Sequence, residues 1–214
     1  RLGLGYEILK ELNPELILVS ISGYGQTGPY REYMGYGPAI PPLSGLSEGT
    51  GYEGGPPEEI GLSMPDPTAG ITGTLGVVSA LSRREDSGVG EHLDVSLWEA
   101  TAVLNVRGWV DYVIGGIEPA RIGNHSNKMS PHACYPCLGD DAWVSIACTR
   151  DDLWTQLADE ISPGLFADDR FLTFESRKKH EAELDQILSE WCSNRDRWEV
   201  TGLLQGKGIA AFPT

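Results

Sequence analysis

The feature that most constrains the fold is an apolar run that leads directly into a glycine-rich turn. Residues 16–21 read Leu-Ile-Leu-Val-Ser-Ile, and residues 23–29 read Gly-Tyr-Gly-Gln-Thr-Gly-Pro. A short aliphatic run bounded by glycine is typical of a buried strand, and the amphipathic pattern before it, residues 4–12, predicts a helix ended by Asn13-Pro14. Gly23, Gly25 and Gly28 allow positive φ and let backbone N–H groups approach a bulky polar ligand. The order of helix, strand and glycine turn predicts an α/β fold.

A long irregular stretch and a small-residue helix follow the turn. Residues 24–65 are rich in Gly, Pro, Ser and Tyr, which disfavours long regular helices and is usual for a functional loop or linker. Residues 67–82 then predict a helix in which Gly70, Gly73, Gly76 and Ala80 recur at helical spacing. One face of this helix has almost no side chains, so we expect another element to pack closely against it.

The pattern then predicts a strand at residues 92–97 and a single amphipathic helix at residues 98–114, ended by Gly115-Gly116. Beyond a polar linker, apolar runs around a Gly139-Asp140-Asp141 turn predict a β-hairpin. Three helical patterns complete the chain at residues 151–161, 177–192 and 196–205. We therefore expect two parts: residues 1–122, a portion of a large domain with its linker, and residues 123–214, a small α/β domain.

Composition excludes several classes of partner. The 214 residues carry a formal net charge of −15, which argues against nucleic acid or an anionic membrane surface as partner, because both require a positive face. The apolar runs are too short to span a bilayer, and no leader pattern opens the sequence. Four cysteines do not make a disulfide scaffold in a chain of this size. We expect a soluble, cytoplasmic protein.

A Cys-x-x-Cys pair, Cys134 and Cys137, resembles part of a metal or redox motif. A structural zinc site requires four ligands, and only Cys148 or His125 could add to this pair. The pair also lies in a strand pattern rather than at the strand-to-helix junction typical of thioredoxin-like motifs. We interpret both cysteines as ordinary strand residues and expect no metal site.

Several motifs, taken in order, give a specific resemblance. The chain resembles the family III CoA-transferases, the CaiB/BaiF group that includes formyl-CoA and carnitine CoA-transferases and α-methylacyl-CoA racemases. The motifs are Arg-Leu-Gly-Leu-Gly-Tyr-Glu at residues 1–7, Asn13-Pro14, Ile-Ser-Gly-Tyr-Gly-Gln-Thr-Gly-Pro at 21–29, Asp66, Gly-Val-Gly-Glu-His-Leu-Asp-Val-Ser-Leu at 88–97 and Gly-Ile-Ala-Ala-Phe-Pro at 208–213.

The resemblance covers essentially the whole chain, although family members are considerably longer. It therefore implies that the sequence is an internal fragment. It also implies a partial Rossmann-like CoA-transferase domain followed by a small α/β domain, and an interlocked homodimer for the full-length protein. The implied substrates are an acyl-CoA thioester and a carboxylic acid, with no permanently bound cofactor.

Asp66 is the candidate catalytic residue. From the residues alone, Asp66-Pro67 predicts a helix N-cap followed by proline at the first helical position. The resemblance implies that Asp66 is also the covalent nucleophile, which passes through a mixed anhydride to an aspartyl-CoA thioester. Family members commonly have glycine before this aspartate, whereas this chain has Pro65.

The resemblance implies further contacts with CoA or substrate. Arg1 and Leu2 match the stretch that contacts the adenine and phosphate end of CoA, although a terminal arginine can equally be a solvated charge. Tyr36 matches a tyrosine at the thioester site, and packing is the alternative role. Gln26 could bind substrate or support its loop. A lysine that contacts CoA in some members falls near Met34 here, so that contact is absent. The glycine-only lid of formyl-CoA transferases also has no counterpart, because residues 123–127 of the corresponding region read Gly-Asn-His-Ser-Asn.

Two alternative functions remain open. An α-methylacyl-CoA racemase would require a histidine where this chain has Tyr36 and a glutamate near Arg150, and neither residue is a good acid–base group near neutral pH. The second alternative is a non-catalytic fragment that binds or assembles without a complete CoA site. The presence of Asp66 favours the transferase.

Overall fold

The computed structural model describes residues 3–59, 61 and 63–214. The chain divides into two compact units, Arg1–Gly123 and Asn124–Thr214, each a mixture of helices and strands. Unit 1 contains a parallel sheet and unit 2 an antiparallel sheet.

The sheet of unit 1 pairs two strands that are far apart in sequence. Helix α1 (Tyr6–Leu12) leads to β1 (Leu18–Ser22), which pairs in parallel with β2 (His92–Ser96). Both strands were predicted, but the expectation of a buried β1 is wrong: no residue of β1 is buried, and Ile21 is 48% exposed. The reason is that β1 pairs only with β2 in the described part of the chain.

Helix α3 (Pro65–Ser87) packs its glycine face against this sheet, as predicted. A Cβ atom added at Gly73 would lie 3.3 Å from Ile21 Cδ1, and one at Gly76 would lie 3.1 Å from Leu93 Cδ1. The helix is longer than predicted, because Pro65 supplies a suitable φ at its first position and Gly88, at φ 68°, ends it in the left-handed conformation.

The predicted N-cap role of Asp66 is wrong. Met64 is the N-cap residue and makes no side-chain capping bond, whereas Asp66 lies inside the first turn of α3. Because proline has no backbone N–H that would need a partner at the first helical position, Pro65 can begin the helix one residue before Asp66.

The described part of the irregular stretch before α3 contains a 3₁₀ turn, Gly37–Ala39, and the short helix α2 (Ile40–Leu43). After β2, the predicted single helix is in fact two, α4 (Leu97–Leu104) and α5 (Val106–Gly115). They are separated by Asn105, whose backbone leaves helical geometry at φ −97° and ψ 26°. The Asn105 side chain lies against Gly108, where an added Cβ would be 2.5 Å from its Oδ1. Gly116, in the left-handed conformation, ends α5.

Unit 2 contains the predicted hairpin. Strands β3 (His132–Pro136) and β4 (Trp143–Ala147) pair antiparallel, and the turn between them includes Gly139 and Asp141, both with positive φ. The structure adds β5 (Ala210–Pro213) on the other side of β4, a strand that the sequence pattern did not predict.

The helices of unit 2 cover this sheet. Helix α6 (Asp151–Ile161) has the predicted bounds, and α9 (Arg197–Gly206) begins after Asp196, whose carboxylate caps it. The helix predicted at residues 177–192 is divided into α7 (Phe174–Lys179) and α8 (Glu181–Ser193), because His180 leaves helical geometry at φ −112°. The largest fully buried core side chains of this unit are Trp154, Tyr135, Phe171, Ile146, Leu157, Leu184, Leu188, Leu204 and Ile209.

Candidate active site

The candidate nucleophile, Asp66, projects from the first turn of α3. Its neighbour Pro65 is buried, and Ala69, one turn further on, belongs to the same apolar cluster as Ile40. The side chain of Asp66 itself is exposed. The buried residues therefore fix the start of the helix while the carboxylate faces outward.

One oxygen of this carboxylate has a defined partner. Ser63 Oγ donates a hydrogen bond of 2.8 Å to Asp66 Oδ2. The other oxygen, Oδ1, accepts no hydrogen bond from residues 3–59, 61 and 63–214. The two oxygens of Asp66 are therefore in different environments.

Gly37 approaches the same pair of side chains from the irregular loop. A Cβ atom at this position would lie 1.5 Å from Ser63 Oγ and 3.1 Å from Asp66 Oδ2. Glycine is thus required here by close approach, since no larger residue fits without displacing the serine. This contact places the 3₁₀ turn beside the carboxylate.

Tyr36 immediately precedes Gly37, whose added Cβ would lie close to Asp66 Oδ2. Its side chain is 72% exposed within the described part of unit 1. A second close approach supports this loop: an added Cβ at Gly35 would lie 2.7 Å from Gly23 Cα. Glycine is therefore required at position 23 by a close backbone contact, whereas Gly25 and Gly28 adopt positive φ.

Gln26 lies in the glycine turn at the carboxyl ends of the parallel strands. Its backbone N–H donates to both carboxylate oxygens of Asp94, at 3.0 and 2.9 Å, and its side-chain amide donates to Ser22 Oγ at 3.2 Å. Each of these contacts supports the loop, the second of the two roles left open for Gln26. No described contact joins Gln26 to Asp66.

Arg1 and Leu2, the predicted contacts for the nucleotide end of CoA, lie outside the described residues. Met34, which corresponds to a CoA-contacting lysine in some family members, is 84% exposed. Tyrosines surround the glycine turn: Tyr24 makes edge contacts with Tyr30 and Tyr33, at centroid distances of 5.9 and 6.4 Å.

Sequence reasoning missed Ser63, Gly37 and Asp94. Ser63 precedes the aspartate by three residues, a spacing that could have indicated a local side-chain contact. Gly37 and Asp94 meet their partners only through tertiary structure, so no local pattern indicates them. These three residues contact the predicted site residues and were not predicted themselves.

In unit 2, Arg150 forms an exposed ion pair with Asp152, with Nε 2.9 Å from Oδ1. Cys134 lies in β3 and Cys137 directly after it, and burial raises the pKa of the Cys137 thiol. No group of three or more metal-ligating side chains converges anywhere in the described parts of the chain. Within those same residues, no helix is both long and apolar enough to cross a bilayer.

Comparison with known proteins places the chain in a family. The family model described as CoA-transferase family III matches residues 1–214. A succinyl-CoA–D-citramalate CoA-transferase of Chloroflexus aurantiacus is 35% identical over 98% of this chain and 52% of the relative. A succinate–glutarate CoA-transferase of Agrobacterium fabrum is 34% identical over 99% of this chain and 52% of its own length.

A solved structure shows a similar fold. The crystal structure of a CaiB/BaiF family protein from Brucella suis superimposes with a TM-score of 0.90 at 32% identity, covering 99% of this chain and 56% of that protein. The chain spans about half the length of the curated relatives it matches. It belongs to CoA-transferase family III.

Proposed function

We propose that the intact protein transfers CoA between an acyl-CoA thioester and a carboxylic acid, with Asp66 as the nucleophile. The observation that carries this proposal is an exposed carboxylate at the start of a small-residue helix, with one oxygen hydrogen-bonded to Ser63 and the other accepting no hydrogen bond from a described residue. Family membership supports the same reaction type.

Four balanced steps describe the chemistry. Asp66 Oδ1 attacks the thioester carbonyl of the donor, which forms a mixed anhydride and breaks the bond to sulfur, so that CoA leaves as a thiolate. The thiolate then attacks the Asp66 carbonyl carbon and expels the donor acid, leaving an aspartyl-CoA thioester. The acceptor carboxylate attacks the same carbon and releases the thiolate. The thiolate finally attacks the acceptor carbonyl, which yields the new acyl-CoA and frees Asp66.

The position of Asp66 suits the first step. A carboxylate in the first turn of a helix lies near backbone N–H groups that have no intrahelical partner and can donate hydrogen bonds to developing negative charge. Each step exchanges one activated acyl group for another, so the residues in this scheme need supply only a nucleophile and hydrogen-bond donors.

Other residues complete the proposal. We assign Tyr36 to the thioester end of the substrate, because it is exposed and adjoins the Gly37 contact. Arg1 and Leu2 are proposed to contact the nucleotide end of CoA, and Gln26 to hold the glycine turn. Residues 1–122 would then be part of a Rossmann-like CoA domain and residues 123–214 the small domain, in a protein that acts as a homodimer.

Succinyl-CoA is the first donor to test, because the names of both relatives described above contain a succinyl or succinate group. The racemase alternative lacks support at two positions. Tyr36 stands where the racemase histidine aligns, and the guanidinium of Arg150 is paired with Asp152.

The test is an exchange assay on the intact protein with a panel of acyl-CoA donors and dicarboxylic acids. We expect Asp66→Ala to lower kcat by at least about 1,000-fold, since residues that act as nucleophiles contribute on this scale. The matched control is Asp86→Ala, which removes an exposed carboxylate from the other end of the same helix and should leave the rate unchanged.

Other results would redirect the assignment. An Asp66→Ala protein that still transfers CoA would exclude Asp66 as the nucleophile. Exchange of a substrate α-proton into deuterated solvent, without CoA transfer, would identify a racemase. A folded parent protein that binds acyl-CoA and turns over none of the panel would support the non-catalytic alternative.

A further inference from the structure

Ser63 is placed to do more than orient Asp66. Its hydroxyl donates to Oδ2 at 2.8 Å, and in each intermediate of the proposed reaction Oδ2 is the carbonyl oxygen that remains on the aspartyl group. This oxygen becomes negatively charged whenever a nucleophile attacks the Asp66 carbonyl carbon. A hydrogen-bond donor aimed at that position lowers the energy of the transition state.

The contact with Gly37 restricts the serine to this direction. Since an added Cβ would lie 1.5 Å from Ser63 Oγ and 3.1 Å from Asp66 Oδ2, the glycine backbone stands against the hydroxyl and against the same carboxylate oxygen. Gly37 is itself buried. Two elements distant in sequence therefore converge on Oδ2, whereas no described residue hydrogen-bonds to Oδ1.

We propose that Ser63 is the oxyanion donor for the two steps in which CoA thiolate or the acceptor carboxylate attacks the Asp66 carbonyl carbon. This inference rests on the proposed function of Asp66. In each of these steps the new bond forms at that carbon, the electron pair of its C=O bond moves to Oδ2, and the pair returns as the leaving group departs. Ser63 keeps its proton throughout and donates one hydrogen bond.

Ser63 should assist only the steps in which the Asp66 carbonyl carbon is attacked. When Asp66 Oδ1 attacks the donor thioester, the oxyanion develops on the substrate carbonyl oxygen and not on Oδ2, the atom to which Ser63 donates. Loss of the hydroxyl should therefore spare the formation of the mixed anhydride and slow its conversion to the aspartyl-CoA thioester. A purely structural role for Ser63 predicts no such selectivity.

The experiment uses rapid-quench intact mass spectrometry of the intact protein with succinyl-CoA, together with detection of free thiol. In the parent protein we expect a CoA adduct on Asp66. In Ser63→Ala we expect that adduct to form roughly 100-fold more slowly, the cost typical of removing an oxyanion donor, while an acyl adduct and an equivalent of free thiol accumulate. Ser63→Thr, which keeps a hydroxyl, should restore the CoA adduct, and Ser87→Ala on α3 serves as the matched control.

Each outcome is decisive. A Ser63→Ala protein that forms the CoA adduct at the parent rate would overturn the role of Ser63 and leave the proposed function intact. Equal slowing of acyl and CoA adducts in Ser63→Ala, without rescue by Ser63→Thr, would also overturn it. A parent protein with neither adduct would overturn the proposed function and this inference with it.

Discussion

The two units of the chain reach their structures by different means. In unit 2, a continuous core of large side chains joins the antiparallel sheet to α6, α8 and α9. In unit 1, the apolar cluster is small, and neither α1 nor α5, both wholly within the described residues, contributes a buried residue. Ile114 of α5 is 82% exposed.

Unit 1 instead depends on close backbone approach at glycine. An added Cβ at Gly90 would lie 2.0 Å from the carbonyl oxygen of Leu16, and similar approaches join Gly23 to Gly35 and Gly37 to Ser63. The contact of Gly37 with Ser63 belongs to the candidate site. The structure of unit 2 therefore depends on the packing of large side chains. The geometry around Asp66 depends instead on glycine, which has no side chain.

The largest expected difference between the units concerns core truncation. Leu184 is fully buried in α8, so Leu184→Ala should lower the free energy of unfolding by about 3 kcal/mol through lost burial and a residual cavity. Ile114→Ala, in exposed α5, should change it by less than about 0.5 kcal/mol. Urea unfolding of the intact protein measures both, and equal losses would contradict the contrast drawn between the units.

The buried thiols give unit 2 a pH dependence that the described part of unit 1, which has no cysteine, does not share. Burial raises the pKa of Cys192 to about 12 and that of Cys148 to about 11, from an ordinary value of 9.0. Because the folded pKa is the higher one, the stabilisation is complete below pH 9 and is lost as pH rises towards 11–12. Each group contributes a slope of at most about 1.4 kcal/mol per pH unit.

The measurement is unfolding of unit 2, followed by tryptophan fluorescence between pH 8 and about 11. Cys148→Ala should flatten the pH dependence relative to the parent protein. An unchanged slope in this variant would show that the thiol of Cys148 does not titrate differently in the folded and unfolded states.

The smallest effect compares two glycines of α3. A Cβ at Gly70 meets no described atom within 4 Å, so Gly70→Ala should stabilise the helix by about 0.5–1 kcal/mol. Gly76→Ala gains the same helix propensity but brings a Cβ to 3.1 Å from Leu93 Cδ1, so its net gain should be smaller. Thermal unfolding of the pair checks the packing of α3 on the sheet, and a larger gain at Gly76 would contradict it.

The sequence predicted the elements whose patterns are local. The hairpin, the presence of β1 and β2 and the exact bounds of α6 followed from periodicity and turn residues, whereas the pairing of β1 with β2 was not predicted. The breaks at Asn105 and His180 were missed because the apolar pattern continues across each of them, although the backbone of both residues leaves helical geometry. Strand β5 was missed because its short run gains stability only by pairing with β4.

The candidate site divides in the same way. The resemblance proposed Asp66 and Tyr36 as site residues; Gly37, next to Tyr36, approaches the Asp66 carboxylate in the structure. The contact of Gly37 with Ser63 and the hydrogen bond from the Gln26 N–H to Asp94 were not predictable. Both join residues that lie far apart in the sequence. Local sequence gives no measure of such approaches.

The most direct test of the account is to locate the covalent intermediate. The intact protein would be incubated with succinyl-CoA and hydroxylamine, digested, and mapped by tandem mass spectrometry. We expect a hydroxamate on Asp66, absent from Asp66→Ala and retained in Asp86→Ala. A hydroxamate on any other carboxylate, or none under conditions in which CoA transfer proceeds, would contradict the assignment of Asp66 as the nucleophile.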